Sequence, residues 1–168
     1  PILRGNSYAL RPWRPSDADV VFQACQDPDI QRFTTVPVPY ELSDAQAFIA
    51  AGEQAWADSK LVQYAIVDAE DQVQGAISFI NIDEDERTAQ IGYWVAPWGR
   101  GQGAAHSALE LFSDWGRQVG FNEFTLRIED DNLASIATAV TAGAYATGES
   151  VEVEVKGEQR NLRIFRLI

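Results

Sequence analysis

A run of alternating glycines carries the clearest chemistry in this sequence. Three glycines stand at every second position after the apolar segment Tyr93-Trp94-Val95, and a long helical pattern follows at once: Gly99, Gly101 and Gly103. Glycine has no side chain, so a ligand can reach the backbone, and the first turn of a helix offers unpaired N–H groups with a partial positive charge. This combination suits a bound phosphate, and Arg100 adds a full positive charge.

Packing alone can also account for glycines at such a turn. Many strand-to-helix turns use glycine only because space is short, and the spacing by itself favours neither packing nor ligand binding. The segment is not a Walker A loop, because no Gly-Lys-Ser/Thr follows it, and the third glycine of a dinucleotide-binding fingerprint would fall on His106. A nucleotide-binding domain of another class is therefore the weaker alternative.

The counts of single residue types exclude several further chemistries. Cys25 is the only cysteine and His106 the only histidine, so we expect no internal disulfide, no thiolate zinc cluster and no His-Glu-x-x-His zinc site. We expect no metal site. A Ser-His-Asp triad would have to use His106, which falls in the first helical turn and is more simply a ligand-facing or solvent-facing residue. Cys25 lies in a helical apolar pattern and is expected to be buried.

Charge and hydropathy limit the partners. The 168 residues include 13 Lys and Arg against 25 Asp and Glu, a formal net charge of −12. Such a charge argues against nucleic acid, since phosphate neutralisation needs many basic side chains, and it is compatible with a cationic substrate. No segment resembles a membrane span or a signal peptide, so we expect a cytoplasmic protein without membrane attachment. No linker divides the chain, which predicts one domain over residues 1–168.

The predicted elements place the glycine turn between a strand and a helix of a mixed α/β domain. Strands are expected at 7–11, 61–67, 73–82, 88–95 and 124–128, and as a hairpin within 144–168. Helices are expected from Ser16 to a stop at Pro28, from a cap at Ser43-Asp44, over 101–119, and from Asp131-Asn132 to Gly143. The helix over 101–119 should bring strands 88–95 and 124–128 into a parallel arrangement.

Two motifs in this order resemble a known family. Arg100-Gly101-Gln102-Gly103-Ala104-Ala105 resembles motif A of the GNAT superfamily of acyl-CoA-dependent N-acetyltransferases, although Trp98 departs from its first position. Asn132-Leu133-Ala134-Ser135 with Gly143 resembles a block of the RimJ/RimL-like branch, which includes ribosomal-protein N-terminal acetyltransferases, although Ala144 replaces the usual Phe. The resemblance covers nearly the whole chain. It implies the GNAT fold, a mostly antiparallel sheet with a splayed parallel pair that binds acetyl-CoA.

The resemblance also implies roles for the matched residues. The coenzyme pyrophosphate would be bound by Arg100, Gly101, Gln102, Gly103, Ala104 and Ala105, and the pantetheine arm by Trp94, Val95 and Asn132. Ser135 would lie near the thioester sulfur, where it either donates a proton or only bonds the backbone. Tyr93 and Tyr145 are further candidates for proton transfer, and each also fits an ordinary core aromatic.

The general base and the acceptor are less clear. Gln90 stands where many relatives of this branch carry a carboxylate, and glutamine cannot accept a proton near neutral pH; Asn161 also replaces an acidic residue. Two functions therefore stay open: acetyl transfer to a primary amine, on a protein N-terminus or a small molecule, or a weak or inactive acyl-CoA-binding module. The acceptor is expected to contact Arg32, Phe33, Tyr40 and Gln90, and the protein to be a monomer or a homodimer.

Overall fold

The computed structural model describes residues 1–168 and contains eight strands and five α-helices. The strands are β1 (Leu3–Arg4), β2 (Ala9–Arg11), β3 (Val62–Val67), β4 (Val73–Asp83), β5 (Thr88–Val95), β6 (Glu123–Glu129), β7 (Tyr145–Val155) and β8 (Glu158–Leu167). The helices are α1 (Ala18–Ala24), α2 (Pro28–Phe33), α3 (Leu42–Ala57), α4 (Ala104–Gln118) and α5 (Leu133–Thr141). All strands join one sheet in the order β1-β2-β3-β4-β5-β6-β8-β7.

Helices cover both faces of this sheet. On one face α4 and α5 pack over a core that includes Phe79, Phe112 and Phe124, which are fully buried. On the other face α1, α2 and α3 pack over a second core that includes Val21 and Ile30. None of the helices combines the length and the apolar character that crossing a bilayer requires.

The central hairpins follow the predicted pattern. β3, β4 and β5 pair antiparallel, and the turn between β3 and β4 is held by Asp68, whose Oδ1 accepts hydrogen bonds from the amides of Glu70 and Gln72. The β-branched and aromatic residues of these strands therefore form the middle of the sheet, as their composition predicts. The hairpin of β7 and β8 is also confirmed.

The parallel pair of strands is only partly formed. β5 and β6, joined by α4, pair at Thr88 with Glu123, Ala89 with Phe124 and Gln90 with Thr125, and no pairing continues beyond these residues. Ile91–Val95 of β5 and the facing end of β6 thus diverge, and we call the opening between them the seam. The splayed parallel pair expected from the resemblance is confirmed.

The first helices differ from the prediction. α1 follows a short 3₁₀ turn and is not capped by Ser16. Instead, Asp17 accepts a hydrogen bond from the Arg14 amide and forms an ion pair with the buried Arg11. Pro28 does not merely end this helix. It begins α2, because Asp27 caps that helix by accepting a bond from the Ile30 amide, and proline suits the first helical position.

Two further helix starts are shifted. α3 begins at Leu42, and Asp44 is not its cap but accepts a hydrogen bond from the amide of Glu41, the cap residue. α4 begins at Ala104 and not at residue 101, since Gly101 and Gly103 have positive φ angles of 75° and 83°, which a right-handed helix does not contain. Both glycines therefore stay in the turn that precedes the helix.

Candidate active site

The turn between β5 and α4 presents bare backbone to an open space. At Gly101 and at Gly103 an added Cβ would meet no atom within 4 Å, and the left-handed conformation of both positions favours glycine. The amides from Gly101 to His106 donate no hydrogen bond within the protein. The Tyr8 hydroxyl fixes the turn by donating to the Gln102 carbonyl at 3.1 Å. Free amides at a helix N-terminus form an anion site, so the turn fits a pyrophosphate.

The charge expected at this turn already has a partner. Arg100 donates to both carboxylate oxygens of Asp27, at 2.6 Å and 3.3 Å, and its guanidinium lies 3.9 Å from Asp29. The hydrogen bond from Arg100 holds the pKa of Asp27 below its usual value, with a further contribution from the Ile30 amide. The anion site therefore depends first on backbone amides, and Arg100 can join it only by leaving Asp27.

The seam exposes one edge of β5. The Ala96 amide donates to the Gln74 carbonyl of β4, and hydrogen-bonding directions alternate along a strand. The backbone groups of Trp94 thus point to β4, whereas those of Tyr93 and Val95 point into the seam. An extended, amide-containing molecule can pair with this edge as a further strand would, which is the property a pantetheine arm requires. Val95 is the better placed of the two expected contacts, since Trp94 uses its backbone within the sheet.

A hydroxyl cluster lies beside the seam. The Tyr93 hydroxyl donates to the Ser135 carbonyl at 2.9 Å and accepts from Ser135 Oγ at 3.0 Å. Asn132 caps α5, with Oδ1 accepting from the Ser135 amide at 3.4 Å. Burial raises the pKa of Tyr93 to about 12, so the phenol stays protonated at neutral pH. The structure thus brings together Asn132 and Ser135, two residues of the second motif, and adds Tyr93.

Gln90 lies on the face of β5 away from the hydroxyl cluster and provides no base that could remove a proton. The side-chain oxygen of Gln90, Oε1, accepts a hydrogen bond from Asn81 Nδ2 at 2.9 Å. Ala89 and Ile91 belong to the core under α4, so the alternation of the strand directs Gln90 to the face of α1–α3. The nearby carboxylates at the end of β6 are engaged elsewhere: Glu129 with Arg160 at 2.9 Å, and Asp130 with Asn161 at 3.2 Å.

The other expected acceptor contacts separate into two groups. Arg32 and Phe33 lie on α2, and Arg32 forms an ion pair with Asp131, next to the Asn132 cap. Tyr40 is buried in the core under α1–α3 beside Cys25, and burial raises the pKa of both groups, to about 11 for the thiol. Arg32 therefore contacts the segment that follows β6, with the Phe33 ring beside it, whereas the structure gives Tyr40 a packing role.

Tyr145 is not brought to the cluster. It begins β7, pairs with Arg166 of β8, and is separated from β5 by β6 and β8. Neighbouring strands lie about 4.8 Å apart, so three spacings put the Tyr145 backbone about 14 Å from β5. His106 faces Glu110 one turn along α4, at 3.6 Å, and is not in contact with the cluster.

Two features of the site were not predicted from the sequence, the Asp27–Arg100 ion pair and the cap of α2. The Asp27–Arg100 pair joins residues 73 positions apart, and no local pattern signals it. The cap of α2 had a readable signal, because aspartate followed by proline is a typical helix start. α2 then makes three contacts around the seam: Asp27 with Arg100, Arg32 with Asp131, and the Gln31 carbonyl with Lys156 of the β7–β8 turn.

Known proteins share the sequence family and the fold of this chain. Residues 8–144 match the family of the Acetyltransferase (GNAT) domain. The chain is 27% identical over 129 residues to an uncharacterized N-acetyltransferase, p20, of Bacillus licheniformis, and this match covers 76% of this chain and 72% of that protein. It is 32% identical over 80 residues to the ribosomal-protein-serine acetyltransferase of Escherichia coli, covering 47% and 45%. The structure of the ribosomal alpha-N-protein acetyltransferase RimL in complex with coenzyme A has a TM-score of 0.90 at 18% identity, covering 100% of this chain and 98% of that one.

Proposed function

The chain belongs to the GNAT acetyltransferase family, and on that basis we propose which of its residues bind the coenzyme, assist the reaction and contact the acceptor. It is an acetyl-CoA-dependent N-acetyltransferase, which transfers an acetyl group to a primary amine. The matches do not favour the alternative of a module that binds acyl-CoA without turnover. The observation that carries the assignment of residues is the open edge of β5 leading into a turn of unbonded amides.

The coenzyme is held by backbone more than by side chains. The amides from Gly101 to Ala105 bind its pyrophosphate, with Arg100 and Gln102 flanking the site, and Val95, Trp94 and Asn132 border its pantetheine arm. Support comes from the free amides, the open space at both glycines and the exposed edge of β5. When bound, acetyl-CoA supplies a thioester carbonyl that is already activated for attack by an amine.

The chain then contributes hydrogen bonds at the reacting group. The Val95 amide, which points into the seam, donates to the oxygen on which negative charge develops. Ser135 donates through Oγ to the sulfur side of the thioester. Gln90 orients the acceptor through its amide and does not remove the proton, because it has no basic group at neutral pH. The rate should therefore increase with pH up to the pKa of the acceptor amine.

We propose a protein N-terminus as the acceptor. Two relatives support this choice by name, a ribosomal-protein-serine acetyltransferase and a ribosomal alpha-N-protein acetyltransferase. Arg32, Phe33 and Gln90 contact the incoming peptide in this proposal, and a ribosomal acceptor would also mean that the protein acts in the cytoplasm. Tyr40 supports this site from the core beneath it.

Thiol release on mixing with acetyl-CoA and a set of amines tests the acceptor. Peptides with free serine or alanine N-termini should be turned over, and the same peptides with blocked N-termini should not. Turnover of a polyamine or another small amine, with no N-terminal peptide accepted, would contradict the proposed acceptor while leaving acetyl transfer intact.

We further propose that residues 1–168 act as one domain, as a monomer or a homodimer. The continuous sheet from β1 to β8 supports the first part. A single cooperative unfolding transition is expected, and two separate transitions would contradict it. Light scattering of the purified protein distinguishes the two oligomeric states.

A further inference from the structure

Tyr93 makes two hydrogen bonds to one residue. Its hydroxyl donates to the Ser135 carbonyl and accepts from Ser135 Oγ, at 2.9 Å and 3.0 Å. No other side chain bonds the Ser135 hydroxyl. A serine hydroxyl has one hydrogen that rotates to suit its partner, so Tyr93 sets the direction in which Ser135 donates.

These bonds also tie β5 to α5, which a purely structural residue could do. Two further observations connect them with the reaction. The backbone of Tyr93 points into the seam, two residues before Val95, and Asn132 fixes the backbone of the same serine by capping it. Three hydrogen bonds with two side chains, Tyr93 and Asn132, therefore fix Ser135 at the place where the pantetheine arm is proposed to end.

We propose that Tyr93 is a positioning residue for Ser135, which it holds ready to donate a hydrogen bond to the leaving sulfur. This inference rests on the proposed acetyl transfer. The acceptor nitrogen bonds to the carbonyl carbon and loses its proton to solvent. As the carbon–sulfur bond breaks, the sulfur keeps the electron pair, and the Ser135 O–H turns from Tyr93 to the sulfur. The Tyr93 O–H turns from the Ser135 carbonyl to Ser135 Oγ.

No proton leaves either side chain in this step. The half-buried Tyr93 phenol stays protonated, because its pKa lies well above neutral pH. The sulfur is protonated by solvent when the product is released. Tyr93 therefore acts by keeping Ser135 Oγ hydrogen-bonded while the serine hydrogen is in use.

Binding of coenzyme A itself tests the inference without an acceptor. A donor at the sulfur favours the thiolate, so the parent should bind coenzyme A about tenfold more tightly at about pH 9 than at about pH 6 by calorimetry. Desulfo-coenzyme A should show no such gain. Tyr93→Phe and Ser135→Ala should each lose most of it. Tyr64→Phe should keep it, since the Tyr64 hydroxyl is buried in the core and has no hydrogen-bond partner.

Turnover provides the second measurement. Tyr93→Phe should lower kcat about tenfold and leave the KM for acetyl-CoA within about twofold, and the double variant should be no slower than Ser135→Ala. Additive losses in the double variant, a Tyr93→Phe variant that keeps its pH gain, or a parent without the gain would each overturn the inference. If the parent acetylates no amine, the proposed function fails, whereas a Tyr93-dependent pH gain still supports the role of Tyr93.

Discussion

Replacing Asp27 by asparagine should make the protein bind coenzyme A more tightly. In the structure Asp27 holds Arg100 away from the free amides of the pyrophosphate turn by accepting two of its hydrogen bonds. A bound pyrophosphate has to compete with that carboxylate for the guanidinium. Asparagine removes the competing charge but caps a helix as well as aspartate does, so the bond from the Ile30 amide and the start of α2 should persist.

The size of the effect follows from the exposure of the pair. The Arg100 side chain is 39% exposed and that of Asp27 only 11%, so water screens the pair partly. A charge-assisted, two-point contact of this kind is worth about 1 kcal/mol after that discount. Removing it should lower the Kd for coenzyme A about fivefold at low salt, since about 1.4 kcal/mol corresponds to about tenfold. The gain should shrink at high salt because added ions screen both contacts of Arg100.

Isothermal titration of coenzyme A into the two proteins measures this difference. Asp29→Asn is the matched control: its carboxylate is 70% exposed and 3.9 Å from Arg100, so its Kd should change less than about twofold. Arg100→Ala combined with Asp27→Asn should abolish the gain. An unchanged or weaker affinity of Asp27→Asn, with α2 intact by thermal unfolding, would refute the reasoning and mean that Asp27 orients Arg100 for the coenzyme.

Three other outcomes are expected. Gly103→Ala should weaken coenzyme A binding at least about tenfold. Gly148→Ala, at a similar φ of 81° and equally open, should lower the free energy of unfolding by about 1 kcal/mol, as Gly103→Ala should, but leave the affinity unchanged. Equal affinity losses in the two variants would contradict pyrophosphate binding at this turn. Gln90→Glu keeps an acceptor for Asn81 and adds a base, so turnover at neutral pH should increase at least about tenfold with a new inflection in the pH profile, whereas Gln90→Ala should show neither. Burial raises the Cys25 pKa from 9.0 to about 11, so between these pH values the thiol ionises only in the unfolded chain. The free energy of unfolding should therefore fall as pH rises from about 9 to about 11, and it should fall less in Cys25→Ala.

The fold was largely predictable where patterns are long. α4 has apolar residues at helical spacing over four turns, and the three central strands are rich in β-branched and aromatic residues, so both follow from the sequence. α2 has only six residues, too few for a period to be recognised, and its first residue is a proline, which by itself indicates a stop. The difference between ending and beginning a helix lay in the cap, Asp27.

The site was predictable in its backbone and not in its side-chain pairs. Alternating glycines between a strand and a helix indicate a turn with accessible backbone amides, which suits an anion site although packing alone also explains such glycines. The bonds from Arg100 to Asp27 and from Tyr93 to Ser135 join residues 73 and 42 positions apart. Such pairs arise only when the sheet and its helices are assembled, and no local spacing encodes them.

Because of the seam, one edge of the sheet is completed only when a ligand is bound. Beyond Gln90 the edge of β5 lacks a neighbouring strand, and the coenzyme arm is the molecule that would complete its hydrogen bonding. A ligand that binds only the folded chain shifts the folding equilibrium by mass action, by about 2.7 kcal/mol at about a hundred times its Kd. Resistance to heat and to proteolysis should then increase with the concentration of coenzyme, and amide exchange at Tyr93 and Val95 should slow as the site fills.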